Sequence, residues 1–306
     1  MWSLDLSHPT VIDARILTRM PDVLRRAVRT DWADANKPGH IADSFLEGPS
    51  FDRAGNLYLT DIPHGRILRI TPALEWQEVA QTGGWPNGLA VHRDGSLWVT
   101  DYRLGILRLE VETGRIETVL GHRNSESFKG VNDLIFDAQG NVYFTDQGQS
   151  GLHDPSGRVY RYRSSGQLDL IMHNVPSPNG IALSTDERFL FVSVTRANAV
   201  WRGPLLADGA ISKVGALRTF FGTSGPDGLA LDAENGLIVA HASLGCAFRL
   251  NAMGEVTHII RSPLGKAITN VAFRPGTSTL VITDSDSGTV LTAELPVAGA
   301  PIYSHG

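Results

Sequence analysis

At 306 residues and a formal net charge of −5, the chain can bury a sizeable core as one large domain or two ordinary ones. It shows no basic stripe or acidic tail that would suit nucleic acid or a membrane surface. The single cysteine, Cys246, excludes an intramolecular disulfide, a thiolate zinc cluster and a redox pair.

The first eight residues, Met1 to His8, carry neither a basic segment nor a continuous apolar run, so no signal peptide is expected. No apolar stretch approaches the roughly 18 residues that span a bilayer. The expectation is a soluble, cytoplasmic protein, monomeric or a homodimer. Residues 11–18 read as a strand, and Pro21 followed by Val23, Leu24 and Ala27 reads as a short helix. Residues 29–40 read as loop. Residues 1–40 thus form an N-terminal extension outside the repeat, placed to cover a pocket, and 41–306 form the main domain.

From Glu47 onward the chain repeats itself. Apolar first strands begin at Glu47, Asn87, Asn132, Asn179, Asp227 and Asn270, with periods of 40, 45, 47, 48 and 43 residues. Each run ends in a turn such as Arg93-Asp94-Gly95 or Arg274-Pro275-Gly276. A second strand follows, as in Leu97-Trp98-Val99-Thr100-Asp101. Head to second-strand end is 14 residues in five copies and 15 in the fourth, which ends at Val194. Third and fourth strands follow after glycine-bearing turns. Four antiparallel strands per period, six times over, predict an all-β, six-bladed β-propeller. The last repeat has three clear strands before Pro296, so the segment 11–17 is expected to supply its outer strand and close the ring.

In an antiparallel meander the first strand leaves a face and the second returns to it. The six heads therefore surround one opening of the channel. Any single Asn-Gly or Asp-Gly pair is explained by turn geometry. Six in register offer two carboxylates, four amide oxygens, and no His or Cys. Hard oxygens with two charges suit one divalent cation such as Ca²⁺, Mg²⁺ or Mn²⁺ better than a thiophilic metal. Two buried carboxylates without a counter-charge would be costly. Ca²⁺ is the first expectation, with Mn²⁺, Mg²⁺, Zn²⁺ and Fe²⁺ as alternatives.

The runs Glu47-Gly48-Pro49, Leu57-Tyr58-Leu59-Thr60-Asp61, Asn132-Asp133, Pro178-Asn179-Gly180 and Pro226-Asp227-Gly228-Leu229-Ala230 together resemble the gluconolactonase and senescence-marker-protein (regucalcin-like) family of metal-dependent propeller hydrolases. The resemblance covers about 45–295 and implies hydrolysis of a small-molecule lactone. It implies Glu47, Asn179 and Asp227 as metal ligands, with Asn132 a further ligand or a substrate contact. The cation would act as a Lewis acid on the ring carbonyl. Asp227 is the implied general base and Asn132 the group that orients substrate or stabilises the oxyanion. Many sugar-lactone members carry an arginine two residues before the Asn of the Asn-Asp motif. Here that position is Gly130, preceded by Phe128 and Lys129, which allows a less polar lactone or an ester.

Other residues are expected around the same mouth. Asn87 and Asn270 would hydrogen-bond ligands or waters. Trp85 would form a pocket wall, and Phe128, Lys129 and Gln147 would contact substrate. The loop from Asp146 to Pro155 would line the pocket, with His153 in solvent. Asp61, Asp101 and Asp284 read as caps of the turn to the third strand. His241, at the equivalent place, is a candidate for substrate contact or proton transfer. Two alternatives stand beside the lactonase reading: an organophosphate hydrolase on the same ring, and a non-catalytic metal-binding propeller that serves as an interaction module.

Overall fold

Each repeat pairs its apolar runs into an antiparallel sheet, and six such sheets surround a channel in a computed structural model that describes residues 8–306. The expectation of no signal peptide rests mainly on residues 1–7, outside the described residues. The innermost strands are Leu46–Phe51, Pro86–Val91, Val131–Phe136, Pro178–Leu183, Pro226–Leu231 and Ile268–Phe273. Each packs against its counterparts in the two neighbouring blades. Among the described residues no helix is long and apolar enough to cross a membrane.

The hairpins between first and second strands are set by side chains. Asp52, Asp137 and Asp232 each accept the backbone N–H four residues on, at 2.7–2.8 Å. Gly55, Gly140 and Asn235 take the left-handed conformation that such turns require. The apolar faces of adjacent sheets meet in wedges between blades. Leu46, Leu59 and Leu68 of the first blade, for example, pack with Val281 and Val290 of the last. Each such buried side chain contributes roughly 1.5–3 kcal/mol.

Closure follows the expected route and adds a second pairing. Arg15–Arg19 runs antiparallel to Thr289–Glu294 as the outer strand of the sixth blade. Thr10–Asp13 runs parallel to Val256–Arg261 as a fifth strand of the fifth blade. The segment divides at buried Ala14, whose N–H donates to Arg261 O at 2.9 Å.

The helix expected at 21–28 is only a 3₁₀ turn, Asp22–Leu24: of its apolar residues Leu24 alone packs on the core, while Val23 is 88% exposed and Ala27 is exposed too. A helix instead forms in the expected loop, at Asp31–Asn36. Thr30 Oγ1 caps it by accepting Ala33 N–H at 3.2 Å. Trp32 and Ala33 bury against Ile62, with Trp85 packed beside them.

Candidate active site at the upper channel mouth

The face on which the innermost strands begin is built by the paired Thr and Asp at the ends of the second strands. Thr60 Oγ1 donates to Asn87 O at 2.6 Å, Thr145 Oγ1 to Asn179 O at 2.8 Å, and Thr100 Oγ1 to Asn132 O. The threonine therefore stitches each of these blades to the head of the next. The aspartate holds the chain entering its own blade. Asp61 accepts Phe45 N–H, Asp101 accepts Trp85 N–H, and Asp146 accepts Gly130 N–H, at 2.7–3.0 Å. The expected cap of the turn to the third strand is present at Asp101, which also accepts from Arg103 and Leu104 N–H. Asp61 instead forms a buried ion pair with Arg66 at 2.7 Å.

At every head the pairing register shifts, an irregularity of the kind that re-aims side chains. Val131 pairs with Asp146 in the third blade and Ile268 with Asp284 in the sixth. The structural counterpart of Asn132 is thus Thr269, and Asn270 lies one residue deeper, level with Asp133. Asn270 and Asp133 make matching bonds. Each backbone N–H donates to a threonine hydroxyl, Thr283 or Thr145, and each Oδ1 accepts the next N–H at 2.8 Å. The upper ring is Glu47, Asn87, Asn132, Asn179, Asp227 and Thr269. The ring expected from the sequence is corrected at its sixth member.

This depth also explains the glycines after the heads. A Cβ on Gly88 would lie 2.5 Å from Asp133 Oδ1, and one on Gly228 would collide with Asn270 Oδ1. They make room for polar side chains reaching in from the next blade.

Three buried carboxylates share the mouth. Burial raises Glu47, against the hydrogen bonds it accepts from Asn270 Nδ2 at 2.8 Å and Gly48 N–H at 3.0 Å. Burial and then the Glu47 charge push Asp133 up to about 7. Asp227 is raised well above the ordinary range by burial and by Glu47 and Asp133, with the Asn179 amide and the Arg196 charge acting the other way. Among the described residues the buried ion pairs lie elsewhere, at Arg66–Asp61 and Arg249–Asp232. Asp133 and Arg196 were not among the residues expected from the sequence. Asp133 stands where neighbouring repeats carry Gly, and that replacement together with its place in the Asn132-Asp133 run was its signal.

Next to the ring lies a pocket of about 520 Å³, walled by the loop 147–153 together with Asn36, Ser177 and Arg196. Asn132 Nδ2 donates to Gln147 Oε1 at 3.0 Å, and Gln147 Nε2 donates to Ser177 Oγ at 2.9 Å. This chain of bonds joins ring to pocket. The loop and Gln147 are where the sequence placed them, and exposed His153 is on the wall.

Trp85 is on the upper face, tilted against Tyr102 at 5.5 Å with the Arg103 guanidinium 4.0 Å over its ring. Asn87 is half-buried. Phe128 is not a pocket residue: its ring packs edge-on against Phe144 and Tyr160, in the core of the third blade. Lys129 is exposed beside Gly148 and does not line the pocket. His241 is wholly buried, edge-on to Phe220 and Phe248, with Nε2 3.2 Å from Asn198 Oδ1. The imidazole is enclosed by these rings and does not line the pocket.

Among the described residues no three His, Cys, Asp or Glu side chains are arranged to hold a metal ion by themselves. A cation at this mouth would need amide oxygens beside the carboxylates. Asn132 directs its N–H group to Gln147, which leaves its oxygen free to accept. Hard oxygens around uncompensated negative charge fit a divalent cation.

Below the ring the channel becomes apolar and is closed at the opposite face by the segment 300–306. Tyr303 stacks on Phe136 at 4.9 Å, and Arg93 Nε donates to Tyr303 O at 3.0 Å.

Residues 45–286 match the sequence model of the SMP-30/Gluconolactonase/LRE-like region. The chain is 33% identical over 261 residues to a lactonase, drp35, from Staphylococcus epidermidis, covering 79% of this chain and 78% of that protein. Among solved structures it is similar to regucalcin, a calcium-binding protein from Agrobacterium tumefaciens, with a TM-score of 0.78, 20% identity, and 97% and 99% of the two chains covered. A gluconolactonase from Xanthomonas campestris gives a TM-score of 0.73 at 22% identity, covering 92% and 97%. Both likenesses concern the fold.

Proposed function

The chain belongs to the SMP-30/gluconolactonase/LRE-like family, and from that premise we propose that it is a divalent-cation-dependent lactonase acting on a small-molecule lactone at the upper mouth. The observation that carries this reading is the set of buried carboxylates without an ion-pair partner, joined through Asn132 and Gln147 to a polar pocket on the same face. Residues Glu47, Asn132, Asn179 and Asp227 would hold the cation. When bound, a divalent cation there polarises the lactone carbonyl and offsets the charge of the ring; Ca²⁺ suits the oxygen set best.

The protein's own groups supply the rest. Asp227, oriented by the Asn179 amide, takes a proton from the attacking water as the oxygen–carbon bond forms. It returns that proton to the ring oxygen as the ester carbon–oxygen bond breaks, giving a hydroxy acid. Asn132, fixed by Gln147, orients the carbonyl on which negative charge develops. The polar wall favours a lactone bearing hydroxyl or charged groups over the less polar lactone that Gly130 allowed.

Proton release across sugar, aliphatic and aromatic lactones, with and without a chelator, tests the proposal. Turnover should vanish on chelation and return with added Ca²⁺. Lactone hydrolysis indifferent to chelation would remove the cation from the reading. Hydrolysis of organophosphates but of no lactone would favour the organophosphate alternative.

A further inference from the structure

The turn after the second strand of the fourth blade differs from its counterparts. Phe189–Val194 ends in Val194 where four other blades end in Asp, although, as in the first blade, the chain passes directly into a 3₁₀ turn, here Thr195–Ala197. That turn is anchored on both sides. Thr195 N–H donates to Ser177 O at 3.0 Å, and Thr195 Oγ1 donates to Pro226 O at 2.8 Å. Asn198 closes it in the left-handed conformation. Arg196 therefore stands on a fixed backbone in the pocket wall, one residue from a bond that touches the neighbour of Asp227.

The guanidinium is unengaged. Arg66, Arg158, Arg161 and Arg249 each hold a carboxylate, whereas Arg196 makes no ion pair or side-chain hydrogen bond among the described residues. No acidic side chain lines its pocket, although the molecule carries a net charge of −5. The wall opposite offers Gln147, Gln149 and His153, and Asn36 closes one side. A five-donor planar cation in a wall of amides, with no carboxylate in direct contact although its charge reaches Asp227, has the chemistry of a carboxylate receptor. The carboxylates of the ring would otherwise repel an anionic substrate, so one positive group in the pocket wall decides whether such a substrate can approach.

We propose that Arg196 is the specificity residue of this pocket and that the substrate is an anionic lactone, one whose acyl chain ends in a second, free carboxylate held by the guanidinium. The proposal rests on the lactonase reading of the ring and names its substrate class.

D-Glucaro-1,4-lactone and D-glucono-1,4-lactone test it, since they differ in having a carboxylate or a hydroxymethyl group at C6. The native protein should show a kcat/KM ratio of about tenfold or more in favour of the glucarolactone. Arg196→Gln should collapse that ratio, Arg196→Lys should keep part of it, and Lys129→Gln, outside the pocket wall, should leave it intact. A ratio near one in the native protein, or a ratio that survives Arg196→Gln, overturns the proposal while leaving the lactonase reading standing. Calorimetry with the ring-opened acids gives an arm independent of turnover. Glucarate should bind about tenfold more tightly than gluconate, and only while Arg196 is present. If neither lactone is hydrolysed but this preference holds, the lactonase reading fails and the carboxylate site stands. Equal binding of the two acids overturns it.

Discussion

Asn270 Nδ2 donates to Glu47 Oε2 at 2.8 Å, joining the last blade to the first at the channel mouth. The bond satisfies a buried carboxylate exactly where the ring closes. Asn270→Ala should cost about 1–3 kcal/mol, read as a lower urea midpoint with unchanged slope. An unchanged midpoint would mean that another group already satisfies Glu47.

Asp227 combines a functional and a destabilising role. Its carboxyl is raised above the ordinary range by burial and by Glu47 and Asp133. The folded state therefore holds a proton that the unfolded state has released, and stability falls as pH rises through the interval between the two values. At pH 7.5 Asp227→Asn should raise Tm in the absence of cation and, with saturating Ca²⁺, lower lactone turnover by roughly 10²–10⁴. A lowered Tm would refute the repulsion, and retained turnover would remove Asp227 from proton transfer.

Cation binding should register without any assay of activity. Saturating Ca²⁺, at about 100 times Kd, stabilises a single-site protein by about 2.7 kcal/mol. Native protein should gain several degrees in Tm on adding Ca²⁺ after chelation. Glu47→Gln should gain much less. Equal gains in the two proteins would place the ion elsewhere.

His241 is held neutral by its surroundings. Burial pulls its pKa down to about 4, and Nδ1 has no partner. In the unfolded chain the imidazole titrates near its ordinary value. The stability it contributes is present above about pH 6.5 and is lost as pH falls toward the folded value, a swing of at most about 3 kcal/mol. His241→Gln should flatten that part of the profile. Guanidinium unfolding at pH 4.5, 5.5 and 7 would show it, and parallel profiles for the two proteins would discount the histidine.

Much of this architecture is legible in the sequence because the repeat writes each feature several times. Thr-Asp at the second-strand ends recurs at 60–61, 100–101, 145–146 and 283–284; the first three threonines donate to the next head, whereas Thr283 bonds within its own blade. What escaped notice occurs once. Asn270 reads as a head because Ile-Thr-Asn resembles a shifted Pro-Asn-Gly, and only the longer hairpin of the sixth blade reveals Thr269 as the true counterpart. The helix at Asp31–Asn36 has too few residues for a periodicity and is fixed by the burial of Trp32. Arg196 looks like any polar turn residue until the loop 147–153 rises opposite it. His241 follows the strand pattern correctly, but the side of the sheet it faces depends on packing against Phe248.

The two-part closure has a consequence for synthesis. Arg15–Arg19 has no partner until Thr289–Glu294 exists, and Thr10–Asp13 waits for Val256–Arg261. At roughly 5–20 residues per second, these edges remain unpaired for about a quarter-minute to a minute. The intermediate blades can form by local pairing in that time, but the ring cannot. A nascent chain arrested between those two late strands should have the fifth blade complete and the sixth open. Its protease sensitivity would then fall within Arg15–Arg19 while Thr10–Asp13 is already protected.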